Sequence, residues 1–309
     1  MNCIFTGVHS FTCATIKYAF QVIHCWAKSG EGTLGARKAE ALMQEMQQMR
    51  ERDNDPGMAP NLVTFNCVLN AWALSGTRCC GYKAEQYLDQ MWELYNAGDN
   101  NLVKPNDKSY NTVINAISKS KNEAKAQRAL RILRRMDKLY QAGLNKEARP
   151  DEKTYTAVLN SCAFPAVMDE KTRRKALDTA IFTLEELKSS RYGHPNQITY
   201  GTFFKACANL LPDDDELRRA VIIEAFQQCC ADGQVGEMVL TQLRSAAPRD
   251  LFEELVVKAA QLSPSRMSSR RVTVDDLPET WRSNVRERWR PKPAVIRRQK
   301  ARPHKPSRS

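Results

Sequence analysis

The stretch KPNDKSYNTVINAISKS, residues 104–120, returns almost unchanged as RPDEKTYTAVLNSC from Arg149. The shared grammar is a proline, an amide or acid, a hydroxyl–aromatic pair and then a run of apolar residues. Pro60, Pro105, Pro150 and Pro195 fall at intervals of 45 residues. Four residues after each comes Thr64-Phe65, Ser109-Tyr110, Thr154-Tyr155 or Thr199-Tyr200. In a chain with 8% aromatics, that register is an internal repeat rather than coincidence.

Each aromatic opens a stripe at i, i+3, i+4, i+7, the spacing of one apolar helix face. Phe65, Val68, Leu69 and Trp72 form the first, and Tyr110, Val113, Ile114 and Ile117 the second. Tyr155, Val158, Leu159 and Cys162 follow, then Tyr200, Phe203, Phe204 and Cys207. Ala71, Ala116, Ser161 and Ala206 recur beside the stripe and permit close approach of helices.

A second helix is expected in each unit. Ala39, Met43 and Met46 match Ala84, Leu88 and Met91, then Ala129, Leu133 and Met136. Ala180, Leu184 and Leu187 repeat the pattern six residues out of step, after a longer loop around Pro165. A helix pair cannot bury its apolar face alone, so the pairs must stack on one another. FQVIHCWAKSG near Phe20 is a poorer early copy of NCVLNAWALSG, with Trp26 matching Trp72. A fifth unit runs from Tyr200 through RRAVIIEAFQQCC; beyond Gly233, VGEMVLTQLRSA and RDLFEELVVKAAQL read as two closing helices. The chain divides into a degenerate first repeat (1–59), the helical repeats proper (60–230), capping helices (231–263) and a basic tail (264–309).

The 309 residues carry a net charge of +12. From Arg266 onward there are 14 Lys and Arg against four acids, which leaves only +2 for everything before. Such a tail suits nucleic acid or another anionic partner. In it, LPETWRSNVRERWR is expected to form an amphipathic helix, with Trp281, Val285 and Trp289 on one face and Arg282, Arg286 and Arg290 in a row beside it. The tryptophans would dock on the last repeat, or the arginines would contact phosphate. The Pro- and Arg-rich remainder is expected to be disordered until bound. Ten cysteines without a CxxC, and four scattered histidines, point to reduced thiols rather than zinc. No apolar run is long enough to span a membrane.

The string V-T-F-N-C-V-L-N-A-W with its Pro-Asn lead-in, together with KSYNTVINA and KTYTAVLNS, resembles the pentatricopeptide repeat family. The resemblance covers about two-thirds of the chain. It implies an all-α fold, a right-handed α-solenoid of stacked helix–turn–helix repeats ending in a basic, partly disordered C-terminal tail. The family's unit is about one residue longer than the ~34-residue tetratricopeptide, whereas here it is 45. Insertions account for this: TRCCGY and SKNEAK between helices, AGDNNLV and GLNKEA before the proline. All are polar or contain glycine and read as loops. The rival is a tetratricopeptide-like protein–protein interaction scaffold, whose Trp-x-x-Leu-Gly-x-x-Tyr start is absent.

The residue after each aromatic, Asn66, Asn111, Thr156 or Gly201, lies about 100° off the core stripe. Asn70, Asn115, Asn160 and Lys205 follow four residues on, along the same face. Such amides and hydroxyls can both donate and accept. The resemblance implies single-stranded RNA as partner, with about one base per unit. It also implies base choice by paired residues: Asn66 with Asn106 for a pyrimidine, Asn111 with Asp151 for U, Thr156 with Asn196 for A. Read in the family's parallel sense, this gives 5′-(C/U)-U-A-3′. Val63, Lys108, Lys153 and Ile198 match the positions that sandwich bases; the two lysines could also touch phosphate. Independently, Asn61, Asn106, Asp151 and Asn196 are good helix N-caps, and Asn66 and Asn111 could be ordinary solvated residues.

No catalytic constellation is present. H-x-E with a later C-x-x-C, the deaminase signature, is missing, and DDDE at 213–216 reads as a helix cap. An enzyme, a cofactor or a metal is not expected. Because three bases are too short an address, either a protein partner or processing enzyme, or further repeats, is expected. The family works mostly in mitochondria and plastids, so either organelle is expected, and otherwise the cytoplasm. The start is acid-poor but has no arginine before Arg37, and the first helix is expected near Thr15. That leaves little room for a transit peptide and favours an N-terminus that is truncated.

Overall fold

The structure is a computed structural model that describes residues 19–53, 59–98, 100–163, 169–261 and 272–285. It is all-helical, with no strand among the described residues. Five helix pairs follow one another. They are α1 (Ala19–Lys28) with α2 (Thr33–Asp53), α3 (Leu62–Ser75) with α4 (Cys80–Asn96), and α5 (Asp107–Lys119) with α6 (Lys125–Gln141). Next come α7 (Glu152–Ala163) with α8 (Glu170–Ser189), and α9 (Gln197–Leu210) with α10 (Glu216–Ala231). Then follow α11 (Glu237–Ala246), α12 (Arg249–Phe252), a π-helical turn over Glu253–Lys258, and α13 (Glu279–Arg282). The start expected near Thr15 and the loop around Pro165 lie outside the described residues.

The periodic stripes become the core. All sixteen residues of the four first-helix stripes are buried, and so are all twelve second-helix residues from Ala39 to Leu187. Burying one large apolar side chain contributes about 1.5–3 kcal/mol, so the stripes dominate the folding energy. Ala71, Ala116, Ser161 and Ala206 are buried as well. There the first helices touch in series, α1 on α3, α3 on α5, α5 on α7, α7 on α9 and α9 on α11. Each first helix from α3 to α9 also packs against the second helix before it and the one after it. The core has two parts that meet within α7, with Val158 in one and Leu159 in the other.

The 45-residue register reappears in polar contacts. Lys83 pairs with Glu40 at 2.9 Å, and the residues 45 further on, Arg128 and Glu85, pair at 3.0 Å. Each ties one second helix to the next. Asn100 Nδ2 donates to the Pro60 carbonyl at 2.6 Å, and Asn145 Nδ2 to that of Pro105 at 2.7 Å. Both asparagines come from segments read as loop insertions, yet both are buried. The insertion at Asn101–Val103 forms a 3₁₀ turn whose Val103 is fully buried. TRCCGY is helical from Cys80, and SKNEAK supplies Lys125, the first residue of α6. Gly81 sits at a close contact: a Cβ there would lie 3.0 Å from Ile117 Cα, tighter than ordinary packing, so α4 and α5 approach through it. The extra residues are therefore mostly loop, as read, but loops that are anchored: they lengthen α4 at its start and clip back through Asn100 and Asn145.

The end of the chain departs from expectation. Among the described residues a 3₁₀ turn (Val274–Asp276) precedes α13, and the helix expected from Leu277 is broken after Arg282; its expected continuation from Arg286 lies outside the described residues. The segment 272–285 folds back on the α10–α11 connection. Val235 N donates to Trp281 O at 2.8 Å, Asn284 N to Gly233 O at 3.0 Å and Asn284 Nδ2 to Asp232 O at 2.9 Å. Leu277 is buried, and Trp281 meets Phe226 edge-on at 5.7 Å. Residues 272–274, read as linker, are part of this docked segment, since Arg244 donates to Val272 O. Among the described residues no helix is long and apolar enough to cross a membrane.

Candidate nucleic-acid interface

The face under consideration is set by the starts of the first helices. Asn61, Asn106 and Asn196 are extended N-caps whose side chains accept from the backbone N–H three residues on. Asp151 does the same for Thr154 N at 2.9 Å. Proline cannot continue the preceding segment and the amide or acid then starts the helix. Two residues into each helix, Val63, Lys108, Lys153 and Ile198 are all exposed, the two aliphatics by 52% and 41%. Lys108 and Lys153 form no ion pair among the described residues.

The next column is Asn66, Asn111 and Thr156, all half-buried. Because first helices touch in series, each faces the start of the following one. Ser109 Oγ donates to Asn66 Oδ1 at 2.7 Å and also lies 3.1 Å from Asn106 Oδ1. Thr156 Oγ1 stands 3.0 Å from Thr199 Oγ1, which lies 3.3 Å from Asn196 Oδ1. A hydroxyl thus bridges Asn66 to Asn106 and Thr156 to Asn196, side chains 40 residues apart in sequence.

The middle pair differs. Thr154 Oγ1 donates to Asp151 Oδ1 at 2.8 Å, and no bond reaches Asn111. Asn111 Oδ1 is buried with no hydrogen-bond partner. A carboxylate is the stronger acceptor and takes the hydroxyl for itself. An orphaned buried amide oxygen costs about 1–3 kcal/mol.

The fourth position closes the column. Gly201 is buried, and a Cβ there would come within 2.8 Å of Met238 Cγ on α11. The closing helix therefore covers the place where a fourth contact would sit. Asn70 and Asn160 are half-buried, while Asn115 is exposed.

Of the tail arginines, Arg282 pairs with Asp275 at 3.1 Å, within the docked segment. Arg286 and Arg290 lie outside the described residues, as does Trp289. The eight described cysteines are free thiols. Burial pushes the Cys162 and Cys207 thiols up to about 12. Among the described residues no group of three or more His, Cys, Asp or Glu is placed to hold a metal ion. In the DDDE run, Asp215 caps α10 and Asp213 pairs with Arg218 at 2.5 Å.

Sequence reasoning found every member of these columns but missed the bridging role of Ser109 and Thr199. Both are fully buried beside the aromatic, and the recurrence of Ser or Thr in that place was the available signal. It also passed over the cations of α6, RILRRMDK, spaced i, i+3, i+4, i+7 from Arg131. Compared with known proteins, the chain matches no family model, no curated protein and no solved structure.

Proposed function

We propose that the chain is a pentatricopeptide-like, right-handed solenoid that binds single-stranded RNA, reading about one base per helix pair. The supporting observation is the bridging of Asn66 to Asn106 and of Thr156 to Asn196 by a hydroxyl of the following helix. Two of the three residue pairs that act together in the resembling family are physically coupled here. Exposed Val63 and Ile198 can pack on base faces, and Lys108 and Lys153 can meet phosphates. The expected address is 5′-(C/U)-U-A-3′. Its service is organellar RNA processing, stability or translation, in a mitochondrion or plastid, together with a protein partner or processing enzyme.

Selection of bound RNAs from a random pool by the full chain tests this. Enrichment of a U-A step carries the reading, and a retained pool without it overturns the register. A form ending at Val285 isolates the basic tail; a cut at Ser263 would also strip Leu277 and Trp281 from the core. Loss of the tail should lower affinity and flatten its salt dependence while leaving the enriched sequence unchanged.

A further inference from the structure

The second helices α4 and α6 are joined by the ion pairs Arg128–Glu85 and Arg135–Asp89. Beside these pairs runs an open groove of about 740 Å³ with Trp92, Tyr95, Leu139 and Leu144 among its lining residues. Leu144 stands at it 62% exposed. One side of the groove is the cationic stripe of α6: Arg131, Arg134, Arg135 and Lys138. No carboxylate lines it among the described residues. Arg134 is engaged by Glu186 at 3.0 Å and Arg135 by Asp89. Arg131 and Lys138 are exposed and form no ion pair among the described residues.

The chemistry selects between anionic partners. A nucleobase would need a free aromatic face. Lys104 Nζ already lies over the Tyr95 ring at 4.9 Å, and Trp92 packs edge-on against it at 5.9 Å. The apolar lining, with its exposed leucine, asks for aliphatic groups, which phosphates do not bring. Carboxylates carried on an apolar helix face satisfy both demands.

We propose that this groove docks an acidic amphipathic helix of a partner protein. Arg131 and Lys138 are seven residues apart, roughly 10 Å along α6. Two glutamates at i and i+7 of the ligand helix match that span, and leucines at i+3 and i+4 fall between them against Tyr95 and Leu144. The surface lies on the second helices and is independent of the RNA reading.

Fluorescence anisotropy of the full chain with a labelled helical peptide of pattern Glu-x-x-Leu-Leu-x-x-Glu tests the proposal. Saturable binding is expected, weakened at least about tenfold by Arg131→Glu with Lys138→Glu and several-fold by Leu144→Ser. The same peptide with lysines in place of glutamates should not bind the natural chain and should bind the double variant. This rescue also shows that the variant is folded. Asn66→Ala and Asn111→Ala should leave peptide binding unchanged. Absence of saturable binding, or binding indifferent to the double substitution, overturns the proposal. So does a double variant that loses affinity for oligouridine but keeps it for the peptide, which would assign the groove to nucleic acid.

Discussion

Asn145 donates from Nδ2 to the Pro105 carbonyl at 2.7 Å, as Asn100 does to Pro60 one unit earlier. Each clip fastens the end of one helix pair to the start of that same pair, and each is buried. Asn145→Ala leaves the proline carbonyl without its donor. The chain should lose about 1–3 kcal/mol of stability, read as a lower urea midpoint at unchanged slope. A substitution that costs nothing would mean that water replaces the amide.

Arg218 is buried to 2% exposure where α9, α10 and α11 meet. Its guanidinium donates to Ala246 O at 2.7 Å, Leu211 O at 2.8 Å and Ser245 O at 3.1 Å, so it caps two helix ends at once. Arg218→Met removes every one of these donors and should cost at least about 3 kcal/mol. Asp213, the carboxylate partner, is 88% exposed; Asp213→Asn should cost under about 1 kcal/mol. Thermal melts of the two variants separate capping from ion pairing.

Much of this architecture could be read from period alone. The apolar stripes and the prolines named the helices and their buried faces, because burial and helix geometry are written locally. Most of the inserted residues are loop, as read; the exceptions are Cys80–Tyr82, the 3₁₀ turn at Asn101–Val103 and Lys125. Cys80–Tyr82 extend α4 because Gly81 lets it approach Ile117, and Asn100 and Asn145 find buried carbonyls 40 residues back. Those partners are distant in sequence, so no local pattern marks them. The tail failed for the same reason: Asn284 bonds to Asp232 and Gly233, and this ends the helix that periodicity favours. At the candidate interface the columns were legible, whereas the hydroxyl bridges depend on how first helices touch.

Alkaline pH should unfold the chain through its buried acids. Burial raises the Cys162, Cys207 and Cys230 thiols to about 12 and pushes the Tyr87 and Tyr200 phenols upward, helped by Glu40 and Asp232. Above the unfolded thiol value of about 8.5, the unfolded state releases protons that the folded state keeps. Stability is therefore full at neutral pH and falls as pH rises from about 9 toward 12. Urea midpoints at a series of pH values check this. A flat profile over that range would show that the thiols are not buried as described.

Ser109→Ala tests the proposed base reading while keeping one half of the capping box; the bond from Asn106 N to Ser109 Oγ is lost with the hydroxyl. Asn106 still accepts from the residue 109 backbone N–H, so the helix start survives. The tether from Ser109 Oγ to Asn66 is lost, at a stability cost of about 1 kcal/mol. Asn66 is then free to turn, and the first pyrimidine preference should weaken while the U and A preferences hold. Selected pools from the two proteins make the comparison directly. Equal weakening at all three positions would mean a general loss of structure.

Asn111→Thr tests the middle position, where the amide oxygen is unpartnered and Asp151 holds the Thr154 hydroxyl. A shorter side chain replaces an amide that can both donate and accept. By the resemblance, Thr with Asp favours G where Asn with Asp favours U, so the enriched triplet should shift from (C/U)-U-A to (C/U)-G-A. Stability should change little or rise, because the buried orphan oxygen is removed. A swap in preference with unaltered melting would tie specificity to this one side chain. A protein that still selects U after the substitution would exclude Asn111 as the reader.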